Sequence, residues 1–62
     1  MMQVIFFEGR PYISAPGVGW EIGLTSSYVV RLAKAGEIPA RRLGHFWFVD
    51  QDAARLRAQM AK

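Results

Sequence analysis

Residues 23–49 read GLTSSYVVRLAKAGEIPARRLGHFWFV, and this segment predicts a helix followed by a β-hairpin. Thr25 is a favourable N-cap residue and Gly36 a favourable helix end, so the helix is expected over residues 25–35. Beyond it, two apolar segments flank Gly44 and His45, and a glycine at the first turn position favours a type II′ turn. The hairpin is therefore expected over residues 38–49.

The predicted helix has a core-facing side and a basic side when its residues are placed at about 100° intervals. The core-facing side carries Val29, Leu32 and Ala33. The opposite side, which spans about 60°, carries Ser27, Arg31 and Lys34. Ser26 lies in the first turn, where its hydroxyl and the free backbone amides are suited to a phosphate.

A shorter helix is expected before it, over residues 14–22, with Ser14 as N-cap and Gly23 as C-cap. This helix contains Gly17 and Gly19. Each glycine weakens a helix by up to about 1 kcal/mol relative to alanine, so we expect close backbone packing to explain them. Leu24 is expected to enter the core between the two helices.

The N-terminal segment over residues 1–13 predicts a strand or hairpin, because residues 4–7 are β-branched and aromatic. Pro11 has no N–H for a ladder, so the returning segment is expected near a sheet edge. Three interpretations of this hairpin are open. It adds a strand that covers Phe46 and Phe48, it pairs with a second copy of the chain, or it is a flexible end.

Alternation along the second hairpin predicts which of its side chains face the core. The inward set is Leu43, Trp47 and Val49. The outward set is Arg42, Phe46 and Phe48. Asp50 is expected to cap a last helix over residues 51–61, with Asp52 in its first turn. The apolar stripe of that helix is Ala53, Leu56 and Met60.

Size and composition exclude several classes of function. A chain of 62 residues has room for one small domain, and without cysteine it has no disulfide, thiolate nucleophile or cysteine zinc site. One histidine forms no cluster, and no carboxylate pair, nucleophile with its base or phosphate-binding glycine loop is apparent, so we expect neither an enzyme nor a metal or cofactor. No apolar run spans a bilayer and no signal peptide is recognisable, so a cytoplasmic location without a membrane partner is expected.

The whole chain has a net charge of +3 and a pI near 10.0, and its positive charge is concentrated in the second half. Residues 1–30 hold one cation and two carboxylates, a net of −1, whereas residues 31–62 hold seven cations and three carboxylates, a net of +4. A basic surface on a small domain suits a polyanion. The order of helix, short turn, basic helix and hairpin with two adjacent arginines predicts a helix-turn-helix followed by a wing, which suits duplex DNA.

These features resemble the excisionase-type small helix-turn-helix proteins of the MerR-like winged-helix group, over residues 12–56. The resemblance depends on five short motifs, which are Tyr12-Ile13-Ser14, Gly23-Leu24-Thr25, Tyr28-Val29 with Leu32, Gly36-x-Ile38-Pro39 and Gly44-x-x-Trp47. The chain departs from that family at Gly17, where glutamate is common. It also departs at Gly19, where alanine is usual and glycine still permits close helix approach.

The resemblance implies one α+β domain over residues 1–62, a winged helix-turn-helix with a β-hairpin wing and a C-terminal helix, to which this chain adds its N-terminal hairpin. It also implies DNA binding without enzymatic activity. The family positions that approach the major groove match Ser26, Ser27, Tyr28 and Arg31. The wing positions match Arg41, Arg42 and His45. Lys34 extends the basic helix face, Arg41 is expected to pack its stem in the structure, and Trp47 matches a core position.

The expected function is sequence-specific binding of double-stranded DNA, as an excisionase-like recombination directionality factor or a small transcription regulator of a phage or other mobile element. A recombinase or RNA polymerase is the expected protein partner. Because one small module buries little surface, dimers or cooperative arrays on DNA are also expected. Two alternatives are open. The chain is the DNA-reading headpiece of a longer transcription regulator, or it is an adaptor that holds a protein through its outward aromatic side chains.

Overall fold

The computed structural model describes residues 4–60, and in that range the chain forms a small α+β domain of three helices and one four-stranded antiparallel sheet. The elements are β1 (Val4–Phe7), β2 (Arg10–Ser14), α1 (Ala15–Ile22), α2 (Ser26–Lys34), β3 (Ala40–Leu43), β4 (Phe46–Asp50) and α3 (Gln51–Met60). Within that range every predicted helix and strand is present, with boundaries within one or two residues of those expected. The expected residues 1–3 of the first hairpin and residue 61 of the last helix lie outside the described residues.

The strands lie in the order β1-β2-β4-β3, so β2 is an inner strand. The expectation that Pro11 keeps this segment near an edge is therefore wrong. β4 pairs with β2 only from Tyr12 to Ser14, so Pro11 lies beyond the end of that ladder and its missing N–H leaves no gap in it. The first hairpin joins the sheet through β2, with β1 as an added edge strand.

The helices pack on one face of the sheet, where the opposed side chains of Ile13 and Val49 are fully buried. All three helices contribute to the same cluster. Its buried members are Ile13, Ala15, Val18, Val29, Leu32, Ile38, Val49 and Ala54. Full burial of one such aliphatic side chain contributes about 1.5–3 kcal/mol, so this cluster is the main source of stability.

The other face of the sheet carries a smaller apolar layer that includes aromatic rings. Phe7 contacts Tyr12 edge to face, and the Arg41 guanidinium lies 4.6 Å from the centre of the Phe7 ring. Arg41 is also the direct partner of Phe48 on β4, so Phe7, Arg41 and Phe48 lie on the same face of the sheet. Phe48 is therefore only 9% exposed although it points away from the helices, whereas Phe46 remains 66% exposed. The first hairpin is thus an added part of the sheet, and it does not cover Phe46.

Two leucines expected in the core are exposed instead. Leu43 is 41% exposed because the two-residue turn pairs it directly with Phe46, which places both on the face away from the helices. Leu24 is 38% exposed and lines a cleft between α2 and α3. On α3 the stripe of Leu56 and Met60 is also exposed, and Ala54 makes the core contact.

The turn between α1 and α2 is packed directly against the backbone of Gly19. α1 ends at Gly23, whose φ is 78°, and the Leu24 N–H donates to the Gly19 carbonyl at 2.9 Å. A Cβ placed on Gly19 would lie 2.5 Å from the Leu24 carbonyl oxygen. The expected close packing at Gly19 is confirmed, and an added Cβ would be too close to the turn for this backbone contact to remain. Ser14 holds the N-cap position without a side-chain capping bond.

Asp50 joins three elements and is buried, with 1% exposure. Its carboxylate accepts hydrogen bonds from the Arg10 guanidinium on β2 and from the Ala53 amide, at 3.0 Å, in the first turn of α3. The expected cap is confirmed, while the ion pair was not foreseen. Burial by itself raises the pKa of Asp50, but the bonds from Arg10 and the α3 amides outweigh it and hold that pKa below 3.8.

The first hairpin closes with a two-residue turn at Glu8 and Gly9, both of which have positive φ, 52° and 79°. This combination is that of a type I′ turn, in which Asn-Gly is the favoured pair. A glutamate in this left-handed conformation is strained, because its Cβ approaches the following carbonyl oxygen. Glu8 therefore lowers the stability of the domain through its backbone conformation. Its Oε1 lies 3.7 Å from Nη2 of Arg41.

We expect Glu8→Asn to stabilise the domain by about 0.5–1 kcal/mol, because asparagine tolerates the left-handed conformation. Thermal unfolding followed by circular dichroism measures the change, which is about 2–8 °C for a domain of this size. Glu8→Gln is the matched control, since it removes the same charge but keeps an unfavourable residue. A stabilisation of the glutamine variant equal to that of the asparagine variant would assign the effect to charge instead.

Candidate nucleic-acid interface

The rotation of α2 is fixed by its cap and its core contacts, and it leaves the basic side in solvent. The Thr25 hydroxyl accepts a hydrogen bond from the Tyr28 amide at 3.2 Å, which confirms the expected N-cap. Val29 is fully buried on the inner side. The side chains exposed on the outer side and first turn are Ser26, Ser27, Arg31 and Lys34.

The described cations fall into two groups according to their ion pairs. Those paired with a carboxylate are Arg10 with Asp50, Arg41 with Glu8, Arg55 with Glu21, and Arg57 with Glu37. Those that make no ion pair with any residue in 4–60 are Arg31, Lys34 and Arg42. Since a carboxylate partner offsets the field of a cation, the positive charge offered to a polyanion is concentrated on the second group.

Arg41 and Arg42 are neighbours on β3 but lie on opposite faces of the sheet. Arg42 is directly opposite Trp47, which packs against the core, so Arg42 lies on the face that carries the helices. Its Nε donates to the Gly44 carbonyl at 3.2 Å, which holds the side chain near the hairpin turn. Arg41 lies on the other face, over Phe7. The structure therefore places Arg42, and not Arg41, on the same side of the sheet as α2. The expectation that Arg42 points outward with Phe46 and Phe48 is wrong, because the turn sets Arg42 opposite Trp47.

His45 lies exposed in the turn of the second hairpin. Gly44 has a φ of 62°, while the φ of His45 is not positive, which is the pattern of the expected type II′ turn. Tyr28 lies on the flank of α2 that faces α3 and lines the same cleft of about 160 Å³ as Leu24 and Ile38. Of the predicted site residues, Arg41 thus lies on the opposite face of the sheet, and Tyr28 lies on the flank of α2 between its basic side and α3.

Trp20 is a surface feature that the sequence analysis did not single out. It is 87% exposed on α1, more than any other large apolar side chain described. The signal was present, because Trp20 stands two residues from both Val18 and Ile22, which place it opposite the buried side of a helix. A flat exposed aromatic ring of this kind provides contact area for stacking or for protein binding.

The paired arginines of α3 serve the fold. Arg55 donates two hydrogen bonds to Glu21 on α1, and the Gln51 amide donates to the same carboxylate at 3.0 Å. Hydrogen bonding from Arg55 is the main reason that the pKa of Glu21 lies below 4.5, with Gln51 adding to it and partial burial opposing it. These contacts join α1 to α3 and occupy Arg55, a cation that would otherwise extend the basic surface.

Within residues 4–60 no helix is long and apolar enough to cross a membrane, and no three potential metal ligands lie close together. A cleft of about 510 Å³ lies beside α3 and is lined mainly by Ile38, Leu56 and Met60. Its one carboxylate, Glu37, is bound by Arg57 at 2.6 Å. Comparison of the chain with protein-family models, with curated proteins and with solved structures found no match.

Proposed function

We propose that this chain binds double-stranded DNA, with α2 in the major groove and the β3–β4 hairpin as a wing on the backbone or minor groove. In this proposal α1 and α2 form a helix-turn-helix, and the protein acts as an excisionase-like recombination factor or a small regulator. A helix fits the major groove, and a hairpin beside it reaches the phosphates.

One observation carries the proposal. The three described cations without an ion pair, Arg31, Lys34 and Arg42, lie on the two elements that would contact DNA and on the same side of the sheet. The other cations within residues 4–60 are paired with carboxylates. A cation without a carboxylate partner is free to neutralise a phosphate and to release the counterions condensed on the DNA. This distribution therefore favours DNA contact through α2 and the wing.

We expect Arg31→Ala and Arg42→Ala each to weaken binding to duplex DNA by about tenfold, in line with about 1–3 kcal/mol for an arginine at a DNA interface. Fluorescence anisotropy of labelled random and host-derived duplexes at about 50 and 200 mM salt measures this, because phosphate contacts respond steeply over that range. Arg41→Ala is the matched control, since it removes the neighbouring arginine of the same strand from the opposite face and should change binding less than about twofold.

The salt dependence separates the kinds of contact. An arginine that holds a phosphate lowers the log-log salt slope by about 0.9 when it is removed, and weakens all sequences alike. An arginine that reads a base relaxes the preference at one position instead. Equal losses in the Arg41 and Arg42 variants would contradict the proposed surface. The absence of binding to any duplex at low salt would contradict DNA binding altogether.

A second candidate function, protein binding by an adaptor, is favoured by the exposed pair of Phe46 and Leu43 on the outer sheet face. Phe48 is too buried to take part. In this case Phe46→Ala would abolish retention of a recombinase or polymerase partner, while affinity for DNA at low salt stays negligible. Retention that survives the substitution would remove the adaptor from consideration.

A further inference from the structure

The two edges of the sheet differ in chemistry. β3 carries Arg41 and Arg42, and charged side chains are a common protection of an edge strand against pairing with other chains. β1 reads Val-Ile-Phe-Phe and has no charge, proline or glycine. Its backbone therefore offers an unprotected template for another strand.

The backbone groups on the free side of β1 belong to Val4 and Phe6. A two-residue turn closes on a hydrogen-bonded pair, here Phe7 with Arg10, and such pairs alternate along an antiparallel ladder. The pairs Phe6 with Pro11 and Val4 with Ile13 are consequently not hydrogen-bonded, so the N–H and C=O groups of Val4 and Phe6 point away from β2. The same two side chains are exposed, at 46% and 67%.

We propose that β1 pairs antiparallel with β1 of a second copy of this chain. The outward groups set the register, in which Val4 of one copy is hydrogen-bonded to Phe6 of the other and the two Ile5 residues face each other on the two-fold axis. A shift by two residues in one direction would bring the Glu8 turn into the ladder, where its left-handed backbone cannot pair. The expected result is one continuous sheet through two domains.

The charge on the edge strands and the closure of the assembly both favour pairing of β1 with β1 over pairing of β1 with β3. Contact between β1 of one copy and β3 of the next would place two arginines against an apolar strand, and it would leave both outer edges free to continue into a fibre. Pairing of β1 with β1 uses the unprotected edge of both copies. The outer edges of the dimer are then the two arginine-bearing β3 strands, which limit further growth.

The oligomeric state tests the proposal without DNA, so its outcome is independent of the proposed function. We expect sedimentation equilibrium of the full chain to show a mass that rises with concentration from 7.0 kDa toward twice that value. Phe6→Lys should weaken the dimer at least tenfold, because it puts a charge in the shared ladder beside the two-fold axis. Phe46→Lys is the matched control, since it changes an equally exposed phenylalanine, 66% against 67%, away from β1.

A single cysteine tests the register. The chain has no cysteine, and residues opposed in a pair without hydrogen bonds have Cα atoms about 4.5 Å apart, within the range of a disulfide. Ile5→Cys should therefore form a covalent dimer on mild oxidation, whereas Leu43→Cys near the other edge should not. Circular dichroism of each variant confirms folding. A chain that stays at 7.0 kDa up to millimolar concentration, equal weakening by both lysine variants, or equal cross-linking by both cysteines would overturn the proposal.

Discussion

Gly19→Ala is expected to destabilise the domain by about 2 kcal/mol, although alanine is the better helix former. The added Cβ would meet the Leu24 carbonyl oxygen at 2.5 Å, and this neighbour is backbone that cannot rotate away. Overpacking of this kind costs up to about 3 kcal/mol, and helix propensity returns about 1 kcal/mol. The melting temperature should fall by roughly 8–16 °C.

The sign of the change in stability shows whether overpacking or helix propensity dominates at Gly19. Helix propensity alone predicts stabilisation, since Gly19 has no positive φ that would penalise alanine. Hydrogen exchange gives a local measurement, because the Leu24 amide should lose protection when its bond to the Gly19 carbonyl is displaced. The Ala35 amide, bonded to Arg31 at the far end of α2, is the internal reference. A variant as stable as the parent chain would contradict the close contact.

Asp50→Ala is expected to lower the free energy of unfolding by about 3 kcal/mol. It removes the N-cap of α3, a contribution of about 1 kcal/mol, together with the other hydrogen bonds of the buried, charged Asp50 carboxylate, about 1.5–3 kcal/mol. Denaturant unfolding measures the loss. Asp50→Asn is the control, because it keeps a capping oxygen for the Ala53 amide and should recover part of the stability. Equal losses in both variants would assign the whole effect to the charge.

The acid sensitivity of the domain should follow from the same carboxylate. Because the pKa of Asp50 is lower in the folded state than its ordinary 3.8, the unfolded chain binds the proton more readily. Its contribution is therefore complete well above pH 3.8 and is lost as the pH falls below that value. The stabilising contribution of Glu21 is lost in the same way as the pH falls below 4.5, the ordinary pKa of its carboxyl group. Asp50→Asn should flatten, and not abolish, the acid limb of the stability curve, since Glu21 remains. An unchanged limb would contradict the role of Asp50.

Local signals in the sequence predicted the parts of the fold that local physics determines. Thr25, Gly23 and Gly36 marked helix ends correctly because caps depend on a few neighbouring residues. The exposed basic side of α2 followed from helical spacing. The face of Arg42, in contrast, was predicted wrongly, and only its pairing with Trp47 shows that it lies on the same side of the sheet as α2.

Features that depend on contacts between distant segments were missed. The pairing of Arg10 with Asp50 joins residues 40 positions apart, and no local pattern indicates it. The position of Leu43 was predicted wrongly because the alternation was applied to each strand separately, whereas the turn forces Leu43 and Phe46 onto one face. The prediction that Pro11 lies near an edge was wrong because no neighbouring residue indicates that β2 pairs with β4. That ladder ends at the pair of Tyr12 and Asp50, since α3 begins at the next residue of the chain.

The strand order has a consequence for how the chain folds during its synthesis. Each hairpin closes through a two-residue turn and needs only its own neighbouring residues. The central pairing of Ile13 with Val49, in contrast, joins residues 36 positions apart (49 − 13). On the ribosome the first hairpin and both early helices emerge without the strand that completes their core. The cooperative folding step therefore waits until residue 50 has emerged from the ribosome.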